Sequence, residues 1–180
     1  GFISGKYFYV LDQTDNDLRI IDVSDPSSAT LVGRVGVGEA PVDVVVSGEY
    51  AYVTDTTSDD LKIVDVSNPS KPTVVGDVFI ASLNAASLQV SGRYAFVKQG
   101  GTINSIDVSN PRAPALVDTV TRGNTGDIFL AGKYLYAMDV NFDILFVVDV
   151  SNPADLVVVN ELSLPTGNTQ PDGFWVSGKY

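Results

Sequence analysis

The chain has no cysteine and no histidine. The first absence removes disulfides, thiolate metal sites and cysteine nucleophiles together. The second removes the commonest general base and the commonest zinc ligand. Missing cysteine leaves the cellular compartment open, because such a chain tolerates oxidising and reducing spaces alike. No apolar run approaches the ~20 residues that a membrane-spanning helix needs. The Ala/Glu/Lys/Leu-rich runs of helical proteins are also missing. Basic residues are scarce, 11 against 22 acidic, for a formal charge of −11. Such a chain repels phosphate backbones, which argues against nucleic-acid binding. There is no initiating Met and no signal-peptide pattern. The chain opens on Gly1-Phe2-Ile3, which reads as the inside of a strand, so we expect a portion of something longer.

What is present is repetition. A Ser-Gly-x-Tyr turn occurs at Ser4–Tyr7, Ser47–Tyr50, Ser91–Tyr94 and Ser177–Tyr180, and as Ala131-Gly132-Lys133-Tyr134. A second marker, Asp-Val-Ser-Asn/Asp-Pro, begins at Asp22, Asp65, Asp107 and Asp149, stepping by 43, 42 and 42 residues. The first marker varies more in spacing, so length variation belongs to loops. The implied repeats are 1–40, 41–84, 85–124 and 125–170, with the start of another at 171–180.

Within the second repeat, Val42–Val46 is apolar and ends at the Ser-Gly turn. Tyr50–Thr54 follows with Tyr50 and Tyr52 on one face and Ala51 and Val53 on the other. A polar loop, Asp55–Asp60, leads to a strand over Leu61–Val66, broken by Ser-Asn-Pro because proline cannot donate to a ladder. A fourth strand spans Thr73–Phe79. Four strands of ~5 residues in ~43, without helix, is the period of a β-propeller blade. Two immunoglobulin-like domains would repeat at about 90–100 residues and a solenoid at about 20–30. The fold expected is therefore all-β, built from four-stranded antiparallel blades, as part of a larger propeller. Blade faces and edges left open would be covered by missing sequence or another chain.

Leu18–Ser24, Leu61–Pro69 and Phe146–Pro153 resemble LVIVD repeats. The resemblance covers essentially the whole chain and implies a propeller, in a family common in secreted or surface proteins, with no general catalytic residue set. The location it implies is extracellular, cell-surface or periplasmic. The third repeat departs from the pattern by placing polar Asn104 and Ser105 inside its strand.

Propeller loops alternate between faces, so charges sort by loop parity. One face receives Lys6, Arg93, Lys133, Lys179, Lys71 and Arg112 against Glu49, Asp25 and Asp155. The other receives the acids Asp12, Asp15, Asp17, Asp55, Asp59, Asp60, Asp139 and Asp143 from hairpin loops. It also receives Glu39, Asp43, Asp127 and Asp172 from interblade connections, against Lys98 and Arg122. Asp12, Asp15 and Asp17 form a weak calcium candidate, lacking the Gly and distal Glu of an EF-hand loop. Asp43 and Asp127 form a channel-mouth candidate for a cation or carbohydrate, with Ser87 in the equivalent slot. The competing role for these acids is to accept local backbone N–H groups. Asp22, Asp65, Asp107 and Asp149 recur once per blade and read as structural hydrogen-bonders. Trp175 reads as core or interblade packing rather than a sugar platform.

No catalytic residue and no cofactor is assigned, apart from weak calcium. The function expected is a non-catalytic interaction module binding a protein or glycan through a propeller face. Two alternatives stay open: a carboxylate-dependent propeller glycoside hydrolase or lyase using Asp43 and Asp127, and a calcium-dependent adhesion module.

Overall fold

The structure, a computed structural model, describes residues 1–81, 87–123, 125–139 and 143–164. Asp172, Trp175, Gly178 and Lys179 lie outside the described residues. The first sheet comprises β1 (Phe2–Ser4), β2 (Tyr7–Asp12), β3 (Asp17–Asp22) and β4 (Thr30–Gly36). The second comprises β5 (Pro41–Ser47), β6 (Tyr50–Asp55), β7 (Asp60–Asp65) and β8 (Thr73–Phe79). The third holds β9 (Ser87–Ser91), β10 (Tyr94–Gln99), β11 (Thr102–Asp107) and β12 (Ala115–Thr121). The fourth holds β13 (Thr125–Ala131), β14 (Tyr134–Asp139), β15 (Ile144–Asp149) and β16 (Val157–Ser163).

Every sheet is antiparallel and keeps its strands in sequence order. Hairpin geometry explains that order, since neighbouring strands follow one another directly in sequence through short connections. In each sheet the register shifts once between third and fourth strands, at Ile20/Ile21, Ile63/Val64, Ser105/Ile106 and Val147/Val148. A bulge at one repeat position bends each outer strand by the same device. The polar loop expected over Asp55–Asp60 is shorter than its sequence suggests: β6 runs to Asp55 and β7 starts at Asp60, and the two residues pair.

The core lies between sheets. Leu18 and Ile20 of the first sheet pack with Val44, Ala51, Val53 and Val64 of the second. On its other face the second sheet sends Tyr52, Leu61 and Ile63 against Leu88, Ala95, Val97 and Ile106 of the third. Phe96 and Ile103 then meet Ile128, Leu135, Ala137 and Val148 of the fourth. Strands apolar on both faces are what a sheet sandwiched between neighbours requires. In the third repeat, Asn104 is buried and donates to the Val97 carbonyl at 3.2 Å. Ser105 is fully buried, and its hydroxyl and Asp60 Oδ1 are buried atoms without a partner among the described residues.

Candidate functional site

Two sets of loops lie at opposite ends of the sheets. The turns between first and second strands sit beside those between third and fourth, as the amides of Val23, Val66, Val108 and Val150 show by donating to the carbonyls of Lys6, Glu49, Arg93 and Lys133 at 2.8–2.9 Å. We call this the turn face. Gly5, Gly48, Gly92 and Gly132 all have positive φ, between 57° and 61°, as tight hairpin turns demand.

The residue after each turn glycine decides the local charge. Lys6, Arg93 and Lys133 lie 5.1, 5.3 and 4.9 Å from the ring centroids of Tyr7, Tyr94 and Tyr134. The same cations reach Asp22, Asp107 and Asp149 at 2.8, 2.6 and 3.6 Å. Each recurring aspartate also accepts the amide of the serine two residues on, at 2.8–3.0 Å. Donation from Lys6 and from Ser24 holds the Asp22 carboxyl at about 2, and donation from Ser109 and Arg93 does the same for Asp107. These are the structural hydrogen bonds expected of a once-per-blade aspartate. Water screens the exposed ion pairs, so they orient the cations more than they stabilise the fold.

The second sheet breaks the series, with Glu49 in the cation's place. This makes the grooves between sheets unlike. Between the second and third, a cavity of about 420 Å³ is lined by Glu49, Tyr50, Tyr52, Arg93 and Pro111. Between the third and fourth, one of about 320 Å³ is lined by Arg93, Tyr94, Phe96, Leu130, Lys133 and Pro153. The second groove is lined by two cations together with aromatic and aliphatic side chains and no acid, the aspartates that pair with those cations lying outside the lining. The sequence analysis counted these cations on one face but did not find their pairing. The available signal was the x of Ser-Gly-x-Tyr, which reads Lys, Glu, Arg, Lys through the first four repeats.

The opposite face holds the calcium and channel-mouth candidates. Asp12, Asp15 and Asp17 do come together, around the Arg19 guanidinium. Arg19 bonds Asp12 at 2.7 Å and Asp17 at 3.0 Å, and also holds Asp15. Asp12 further accepts the amides of Thr14 and Asp15 at 2.7 and 3.1 Å. Those of Asp15 and Thr14 keep its carboxyl below the usual range. Asp55 is buried and accepts the amides of Thr57, Ser58 and Ala40 at 2.8, 2.9 and 3.1 Å.

At the inner strands, Asp43 accepts the Val44 amide at 2.8 Å and, from the next sheet, the Leu88 amide at 3.0 Å. Ser87 repeats the second bond one sheet on, accepting the Ile128 amide at 3.4 Å. The slot is thus a link between sheets. Burial pushes the Asp43 carboxyl up despite those amides, and the charge of Asp127 adds to the rise. Asp127 itself is exposed. Lys98, buried on β10 opposite Ser87, is pushed down by burial, with Asp127 opposing that shift. Among the described residues no three His, Cys, Asp or Glu side chains are grouped so as to hold a metal ion.

Sheets of this construction, packed in sequence, define an array of propeller blades. The LVIVD repeat family matches at residues 2–37, 38–79, 84–121 and 122–162, and the chain belongs to that family. No curated protein matches the chain. Among solved structures it resembles a protein from Lactobacillus plantarum, at 15 % identity and a TM-score of 0.72, over 88 % of this chain and 54 % of that one. The periplasmic gluconolactonase of Pseudomonas aeruginosa aligns at 14 % identity and a TM-score of 0.73, over 89 % of this chain and 52 % of that one. Hsv2 of Kluyveromyces lactis aligns at 16 % and 0.64, over 91 % and 50 %. At these identities the likeness shows fold alone, and the chain spans about half the length of these proteins.

Proposed function

We propose that the chain is part of a non-catalytic interaction module acting outside the cytoplasm, which binds a protein or glycan partner through its turn face. The observation that supports this is the groove between the third and fourth sheets, lined by Arg93, Lys133, Tyr94 and Phe96, whose two cations have Asp107 and Asp149 as solvent-screened ion-pair partners outside the lining. A carboxylate attached to a ring or an aliphatic group fits that arrangement: the cations meet the charge and the floor meets the apolar body. The rest of the molecule is acidic, which sharpens the contrast. The test is calorimetric titration with acidic peptides and uronic-acid oligosaccharides, on the chain and on Arg93→Glu/Lys133→Glu. One ligand class should bind, and the reversal should weaken it at least ~10-fold, the loss of about one charge-assisted contact. No binding by either class, or binding indifferent to the reversal, rejects the reading.

A hydrolytic reading has one observation in its favour, the carboxyl of Asp43 pushed up by burial with Asp127 nearby. Against it, both Asp43 oxygens already accept backbone amides. Turnover of a lactone or glycoside that is abolished by Asp43→Asn would favour it over the binding module.

A further inference from the structure

The outer strand of each sheet faces the turn that ends just before the fourth strand of the next. In the first sheet the facing position is Gly33. A side-chain carbon there would lie 2.0 Å from the Pro69 carbonyl oxygen and 3.1 Å from Pro72 Cδ. In the second sheet it is Gly76, where the same carbon would lie 2.2 Å from the Pro111 oxygen. At both junctions the residue before the next fourth strand is a proline, Pro72 or Pro114, with no N–H to satisfy. In the third sheet the glycine is replaced by Asp118. At that same junction the proline is replaced by Leu156, which is 8 % exposed and has an N–H. The two departures answer each other: the Leu156 amide donates to Asp118 Oδ2 at 2.6 Å.

We propose that these two positions form a matched pair that specifies which blade seats against which. Glycine pairs with proline, and a carboxylate pairs with a free N–H. Mixing the pairs is penalised in both directions. A carboxylate facing proline is taken out of water with no donor, and a leucine amide facing glycine is buried with no acceptor. The pair Asp118–Leu156 therefore makes the junction between the third and fourth sheets different from the two before it. Blades with similar cores are told apart by their junctions, which blocks out-of-order packing among near-identical repeats.

The test is a double-mutant cycle on the full chain, read by thermal melting. Asp118→Gly should lower Tm by about 3–8 °C, as expected for a charge-assisted hydrogen bond in a domain of this size, and Leu156→Pro by more, because it also removes a buried leucine. The double variant rebuilds the glycine–proline pair and should melt above Leu156→Pro, with a loss smaller than the sum of the two single variants. A double variant whose loss equals the sum of the singles overturns the proposal. Should a single variant fail to fold, recovery of cooperative melting in its double variant is the same positive result.

Discussion

Arg19 holds three aspartates that the sequence offers as a calcium loop. Its guanidinium has five donors in a fixed fork and no pKa within reach, so it serves as a resident cation for Asp12, Asp15 and Asp17. The carboxylates repel one another within a Debye length of about 8 Å, and the guanidinium relieves that repulsion without a metal. An added ion must therefore displace it. Removing the guanidinium by Arg19→Gln should lower the melting temperature in calcium-free buffer. Millimolar calcium should then raise the variant's Tm more than that of the unmodified chain, with affinity no tighter than about 10⁻⁴ M, because one loop cannot fill six to eight positions. Equal calcium responses in the two proteins would show that Arg19 does not guard the loop.

At the scale of the element, the hairpins are set by backbone conformations that few residues tolerate. The Ser-Gly turns place glycine at positive φ, and the Gly48 side-chain direction is open, with nothing within 4 Å. The barrier to substitution at Gly48 is therefore backbone strain rather than crowding. Gly48→Val should cost about 1–3 kcal/mol in urea unfolding, and Gly48→Asn markedly less, since asparagine visits the left-handed region readily. Equal costs for the two would place the penalty somewhere other than φ. On the opposite face, Asn16, Asp59 and Asp143 hold φ of 58°, 55° and 53°. Part of the acidic character of that face thus comes from turn formation, where Asp and Asn are the non-glycine residues best suited to the bend.

For the whole molecule, stability lies in the junctions between sheets. Val35, Val78 and Val120 each pack onto one of the three interblade cores. Leu162 is their counterpart in the fourth sheet and is 51 % exposed. The same contrast separates Leu61, fully buried, from Leu145, which holds the equivalent place in the fourth sheet and is only half-buried. Leu61→Ala should therefore cost about 2–5 kcal/mol, the range for a filled core site, while Leu145→Ala should cost about 1 kcal/mol. Chemical denaturation of both variants measures the difference. Similar costs would mean that the face of the fourth sheet is as well covered as that of the second.

The sequence by itself determined the period, the four strands per repeat, their turns and the family. Those features are local: alternation at period two, glycine where φ is positive, and proline where a ladder must stop all act within a few residues. Legible for the same reason were the once-per-blade aspartates, each bonded to a serine two positions on. What the tertiary structure alone decided is which charged and polar groups meet. Asp43 finds its acceptor role 45 residues away at the Leu88 amide, and Asp118 finds Leu156 38 residues on. Arg19 gathers Asp12, Asp15 and Asp17, and Arg93 and Lys133 come to share one groove. Loop parity assigned Asp12, Asp15, Asp17, Asp43, Arg93 and Lys133 to a face and left Arg19 and Asp118 unassigned. Their partners depend on the spacing and twist between sheets, because a hydrogen bond or ion pair across a junction tolerates only tenths of an ångström. A repeat pattern read along one chain carries no record of that distance.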